Sequence, residues 1–206
     1  MRSRRMHRLA LIALAVAAIS GCSSTPSRFY TLDSTATRTG APPSQTAVAV
    51  EPASVPASVD QPELVVQVAP NRVEEEEFDR WAAPLEDSIA HAVAGDLSVL
   101  LGSPNVTTGR LADFGPAYVV TINVQRFESV KGQTALLDAV WTVRSVAGAK
   151  SQSGRTLARQ PVQGEGFDAL AAAHSRAIAK LSDDIAGAIR ADESANLRTE
   201  AGSNTR

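Results

Sequence analysis

Residues 118–146 constrain the fold more than any other stretch of this chain. Tyr118–Lys131 (YVVTINVQRFESVK) places Tyr118, Val120, Ile122 and Val124 on one face of an extended strand, and Val119, Thr121 and Asn123 on the other. Gly132 interrupts it, and Gln133–Val146 (QTALLDAVWTVRSV) returns with Ala135, Leu137, Ala139, Trp141 and Val143 in alternation. Two long alternating runs joined at a glycine predict a long antiparallel hairpin with one apolar face. That face must be covered, and the rest of the chain supplies two helical patterns to cover it.

Trp81–Leu101 reads as the first helix. Pro84 sits in its first turn, Glu86 and Asp87 lie near its positive end, and Gly102-Ser103-Pro104 stop it. Leu85, Ile89, Ala92/Val93, Leu97 and Leu100 form its apolar stripe, and His91 falls off that stripe onto the solvated side. Gly166–Arg190 reads as the second helix, lined by Phe167, Leu170, Ala171, His174, Ile178, Leu181, Ile185 and Ile189. His174 lies within this stripe and is expected to be hydrogen-bonded and partly buried. Ala191–Arg206 is polar and reads as a disordered tail.

Shorter strands are expected at Arg28–Leu32, Thr46–Glu51, Glu63–Val68, Asn105–Gly109 and Arg155–Gln163, with a loop at Asp33–Ser44 and a turn at Ala147–Gly154. Asn71–Arg80 (NRVEEEEFDR) is either a solvated helix face or an exposed, charge-protected edge strand. The order of elements predicts an α+β fold: a mainly antiparallel sheet with two long helices packed on one face.

The amino terminus sets the compartment. Met1–Arg8 carries four arginines and no acid, and Leu9–Ile19 is an apolar run of eleven residues. As a helix that run spans about 16 Å, too short for a hydrocarbon core of about 30 Å, so residues 1–21 read as a secretory signal. Ile19-Ser20-Gly21-Cys22 resembles the bacterial lipobox, in which the signal is cut before a cysteine that carries diacylglycerol and an N-acyl chain. Cys22 is the only cysteine. An intrachain disulfide, a thiolate zinc site and an iron–sulfur cluster are therefore excluded. The reading is of Cys22 as the lipid-attachment residue, 22–27 as a tether and 28–190 as one domain. The residue after it is Ser23 and not Asp, which by the bacterial sorting rule implies export to the outer membrane.

Removal of residues 1–21 with their four arginines leaves 185 residues bearing 16 basic and 22 acidic side chains, a charge near −6. That balance argues against binding a phosphate backbone, and 4% aromatics argues against stacking on single-stranded nucleic acid. No GxSxG, HExxH or GxxxxGK[ST] occurs, and Ser175 beside His174 on a helix projects about 100° away from it. The expectation is a protein with no catalytic residue, no metal and no cofactor beyond the covalent diacylglycerol and N-acyl chain on Cys22. Four adjacent carboxylates, Glu74–Glu77, point in different directions and cannot converge on one ion.

Three stretches resemble a known family. They are Arg28-Phe29-Tyr30-Thr31-Leu32 soon after Cys22, Phe78-Asp79-Arg80-Trp81-Ala82-Ala83-Pro84-Leu85, and the helix from Phe167 through His174 to Ser182. Together they resemble the ABC-type transport auxiliary lipoproteins (the PqiC, YmbA-like family), across Cys22 to Arg190. The FDRWAxPL stretch is the distinctive part.

The resemblance implies a lipid-anchored outer-membrane protein facing the periplasm. Its implied partners are an MCE-domain protein that forms a periplasmic tube and an inner-membrane transport component, together with outer-membrane lipid and further copies of itself. Such systems are linked to lipid movement and envelope integrity.

Two readings of FDRW remain open at this point. In one, Phe78 and Trp81 anchor the first helix to the sheet, with Asp79 and Arg80 outside. In the other, Phe29, Tyr30, Phe78, Arg80 and Trp81 form a docking patch, since aromatics and Arg concentrate binding energy. A rival to the adaptor reading is a lipid carrier with an apolar cavity lined by Val120, Ile122, Leu137 and Leu181.

Overall fold

The long hairpin organises the molecule. In the computed structural model, which describes residues 25–38, 40, 42–109, 114–147 and 150–203, β6 (Tyr118–Val130) and β7 (Thr134–Ser145) pair antiparallel along their whole length. Gly132 at the turn has φ of 67°, the left-handed region that glycine enters at no steric cost. β6 carries a bulge between Val124 and Arg126. Before it Val120, Ile122 and Val124 face the core, and after it Phe127 and Ser129 do. The extra residue resets the alternation so that an odd-numbered phenylalanine still points inward.

The remaining strands are β1 (Arg28–Tyr30), β2 (Val48–Val50), β3 (Glu63–Ala69), β4 (Arg72–Trp81), β5 (Val106–Thr108) and β8 (Ser151–Pro161); the helices are α1 (Leu85–Leu101) and α2 (Gly166–Ser203). The fold is α+β, but with two sheets in place of one. A five-stranded sheet runs β5-β2-β6-β7-β8 and a three-stranded sheet runs β1-β4-β3. Neither is purely antiparallel. β2 is parallel to both β5 and β6, and β1 is parallel to β4. These parallel neighbours are three-residue strands reached through long crossovers, so no local hairpin signal marks their direction.

α1 packs on β2, β5 and α2, while α2 crosses β7 and β8. The stripes expected on both helices are buried, and they merge with the inner faces of both sheets into one core. The opposite face of the large sheet is solvated, exposing Thr121, Asn123, Arg155 and Leu157.

Several boundaries differ from expectation. Trp81 ends β4 and does not begin α1. The ring of Pro84 disfavours helical backbone in the residue before it, so the helix starts at Leu85. β8 begins at Ser151, so Gly154 lies inside a strand and not in a turn. The cause is Trp141, whose indole lies over Gly154; a Cβ there would stand 2.3 Å from the ring. The indole Nε1 donates to Thr156 Oγ1 at 3.1 Å, and Thr156 Oγ1 donates to Asp184 Oδ2 at 2.6 Å, tying the sheet to α2.

α2 does not end at Arg190 with a disordered tail behind it; it continues to Ser203. Its extra turns have partners. Tyr118 donates to Asp192 at 2.9 Å, Ser44 donates to Glu193 at 2.9 Å, and Arg190 donates to the Leu100 carbonyl. These contacts come from residues distant in sequence, so the polar composition alone misleads.

Gly154→Val should destabilise the fold by about 1–3 kcal/mol, because the indole must leave its seat between strand and helix. Urea unfolding followed by Trp fluorescence checks this, with Gly132→Ala as a turn control.

Candidate docking site

The two most distinctive sequence motifs are neighbours in space. β1 and β4 pair parallel in the register Arg28↔Asp79, Phe29↔Arg80 and Tyr30↔Trp81. Odd and even positions therefore divide the combined motif into a buried and an exposed half.

The buried half is built on Asp79. This carboxylate is 4% exposed and accepts the Tyr30 hydroxyl at 2.6 Å and the Arg28 guanidinium at 2.8 Å. Asp79 was expected outside; it is inside because it lies two residues before the buried Trp81 and so shares its face of β4, where the parallel pairing with β1 brings Arg28 and Tyr30 to it. Burial alone raises its pKa, but the hydrogen bonds from Arg28 and Tyr30 and the Arg28 charge hold it below the usual carboxylate range. Burial and the hydrogen bond to Asp79 together push the Tyr30 hydroxyl up to about 12.

Trp81 completes this half. Its ring meets Phe127 and His174 edge-on at centroid distances of 6.0 and 6.2 Å. The His174 ring stacks on Phe127 at 3.9 Å, its Nε2 is 2.8 Å from Ser129 Oγ, and its Nδ1 has no partner. His174 is fully buried, and desolvation pushes its pKa down to about 3, so the ring is neutral. Tyr30 packs edge-on against Phe167 at 6.0 Å, and the Lys131 ammonium stands over that ring, 4.1 Å from its centroid.

The exposed half holds the groups free to meet a partner. Phe29 is 63% exposed on the edge strand. Arg80, opposite it, is ion-paired to Glu63 at 2.8 Å, and Phe78 is half-buried. Tyr30 and Trp81 are each 7% exposed and are taken up by packing, so these two of the five expected docking residues belong to the core. Cys22, Ile19, Ser20 and Gly21 lie outside the described residues.

A second carboxylate was missed in the sequence. Asp96 of α1 is fully buried; it accepts Ser34 Oγ at 2.8 Å, the Thr35 and Ala36 amides at 2.9 Å each, and Ser182 Oγ at 3.0 Å. Its position was legible, since Asp96 stands in the buried 92–96–100 column of an apolar helix face. It clasps residues 34–36, part of the expected Asp33–Ser44 loop, into a strap between the helices. Gly95 admits the strap: a Cβ there would meet Ser34 Cβ at 2.8 Å. The strap runs on to the far end of α2, where Pro43, Tyr118, Arg190, Glu193 and Leu197 border a cleft of about 640 Å³. Among the described residues no group of three or more His, Asp or Glu is placed to hold a metal.

The model of the ABC-type transport auxiliary lipoprotein component family matches residues 30–186, from the last residue of β1 through β4 and most of the core. The chain belongs to that family. Its fold recurs in a Xanthomonas campestris protein of family DUF330, 18% identical, with a TM-score of 0.69 over 84% of this chain and 99% of that one. It recurs also in an uncharacterised protein, 17% identical, with a TM-score of 0.64 over 80% of this chain and 99% of that one. No protein of curated function matches the sequence. The family match begins at Tyr30, which hydrogen-bonds Asp79.

Two measurements test the buried half. Asp79→Asn should cost roughly 1–3 kcal/mol by weakening hydrogen bonds to a charged acceptor, and Tyr30→Phe combined with it should cost less than the sum of the two. Acid should destabilise the protein through His174. Its folded pKa lies below the unfolded value of 6.5, so the unfolded state takes the proton first. The stabilisation is whole above pH 6.5 and falls as pH drops toward 3, by up to about 1.4 kcal/mol per unit. His174→Gln should therefore flatten the stability–pH profile between pH 6.5 and 5.

Proposed function

We propose that this chain is the outer-membrane lipoprotein subunit of an MCE-type intermembrane lipid transport system, docking the periplasm-spanning MCE tube at the outer membrane. The observation that carries the reading is the family match over residues 30–186, directly behind a lipobox whose cysteine stands six residues before β1. The sorting residue Ser23 favours the outer membrane, with the domain facing the periplasm. The polarity of the fold supports a docking role. β1 meets the start of α2 at Phe167, whereas the distal cleft borders Glu193, about 39 Å further along the helix. A lipid anchor at one end leaves the other directed away from the bilayer, toward a tube and an inner-membrane component.

The subunit is read as non-catalytic. Ser129 and His174, a serine–histidine pair, are sealed from solvent, and among the described residues no carboxylate meets the other ring nitrogen. Its only non-protein group is the covalent lipid on Cys22. The rival reading, a lipid carried inside the domain, fits less well. Val120, Ile122, Leu137 and Leu181 are all 0% exposed within one continuous core, where the carrier needs a cavity between them. Several copies per tube are part of the proposal.

Labelled palmitate should enter the wild type and not Cys22→Ala. Affinity capture from detergent-solubilised membranes should recover an MCE-domain protein, and the mass of the capture complex reports copy number. Capture without any MCE protein sinks the adaptor reading, and equal labelling of Cys22→Ala sinks the lipoprotein reading.

A further inference from the structure

We infer that the turn joining β3 to β4 is a membrane-contacting prong, which rests on the bilayer that holds the acyl chains of Cys22. The inference builds on the lipoprotein reading and adds a second contact to it.

The argument starts from strand direction. β1 is parallel to β4, so the chain enters β1 from the side where β4 begins, which is the β3–β4 turn. Cys22 lies six residues before Arg28, a reach of at most about 22 Å. Val73 lies six residues before Asp79, the partner of Arg28, about 20 Å along the strand. The tether therefore cannot carry the domain much beyond the level of the turn. Thr25, the first described residue, is exposed, and only three residues, or about 11 Å, separate it from Cys22.

The chemistry of the turn suits a lipid interface. Val68 and Val73 are 41% and 57% exposed, two of the few large apolar side chains left in water. They flank Ala69, Pro70 and Asn71, the last with φ of 60°, and Arg72, whose side chain is 67% exposed and only 4.0 Å-paired to Glu74. An apolar tip beside a weakly held cation matches the boundary between acyl chains and phosphate. In the shaft behind it Glu75 and Glu77 are exposed, Glu74 faces Arg72 at 4.0 Å and Glu76 is ion-paired to Lys131 at 3.3 Å. The exposed carboxylates resist lying flat on a bilayer, so the ribbon meets it at its tip.

The test uses the full-length, acylated protein in vesicles of phosphatidylethanolamine and phosphatidylglycerol. The sulfur of Cys22 is a thioether there, so a single new thiol can be labelled. Val73→Cys and, separately, Val68→Cys carry an environment-sensitive fluorophore, and Leu157→Cys on the solvated sheet face serves as reference. The prong predicts blue-shifted emission at 73 and 68, strong loss with nitroxide lipid and little with aqueous iodide, and the reverse at 157. Equal iodide quenching at 73, 68 and 157 on vesicle-bound, palmitate-labelled protein overturns the prong and leaves the lipoprotein reading standing. Protein that takes up no palmitate and does not float with vesicles overturns both.

Discussion

The carboxylate of Asp79 ties β1 to the rest of the domain. A three-residue strand is too short to hold itself on a sheet edge by backbone bonds alone. The Tyr30 hydroxyl and the Arg28 guanidinium converge on one buried acceptor and make β1 part of the core. Behind it, Trp81, Phe127 and His174 form an aromatic wall that α2 closes. β1 therefore rests on a hydrogen-bonded, desolvated site. The same register leaves Phe29 and Arg80 outside, so one short pairing both fixes the first strand and presents its exposed surface.

Asp96 performs the matching task further along. Its four accepted hydrogen bonds hold the strap that leads from β1 to the far end of α2. Both carboxylates are buried and both are satisfied by donors from remote segments, which is the condition under which a buried acid specifies a fold and does not weaken it. Between them the strap gives the molecule two distinct ends, one near the tether and one at the cleft beside Leu197.

Much of the secondary structure was legible because each element writes its own period. The 118–146 hairpin, both helical stripes and the short strands at 48–50, 63–69 and 106–108 stand where the patterns put them. Errors cluster where a partner decides. Gly154 reads as a turn residue until Trp141 is seen above it. The polar 191–203 stretch reads as loose until Tyr118 and Ser44 are seen to bind Asp192 and Glu193. The glutamate run left strand and helix open because identical charges carry no period, and its pairing with β3 resolved it as a strand.

The sequence by itself determined the class of fold, the pairing of long strands, the buried stripes of the helices and the kinship carried by RFYTL and FDRW. Periodicity and local sterics suffice for those, since they act between residues a few positions apart. Only the tertiary structure decided that RFY lies in register beside DRW, which donors satisfy Asp79 and Asp96, and that the sheet is two sheets with parallel edges. Those outcomes depend on contacts across 49 to 86 residues, such as Tyr30 to Asp79 and Asp96 to Ser182. A carboxylate is exposed or buried according to whether distant donors arrive to satisfy it, and no local pattern records that arrival.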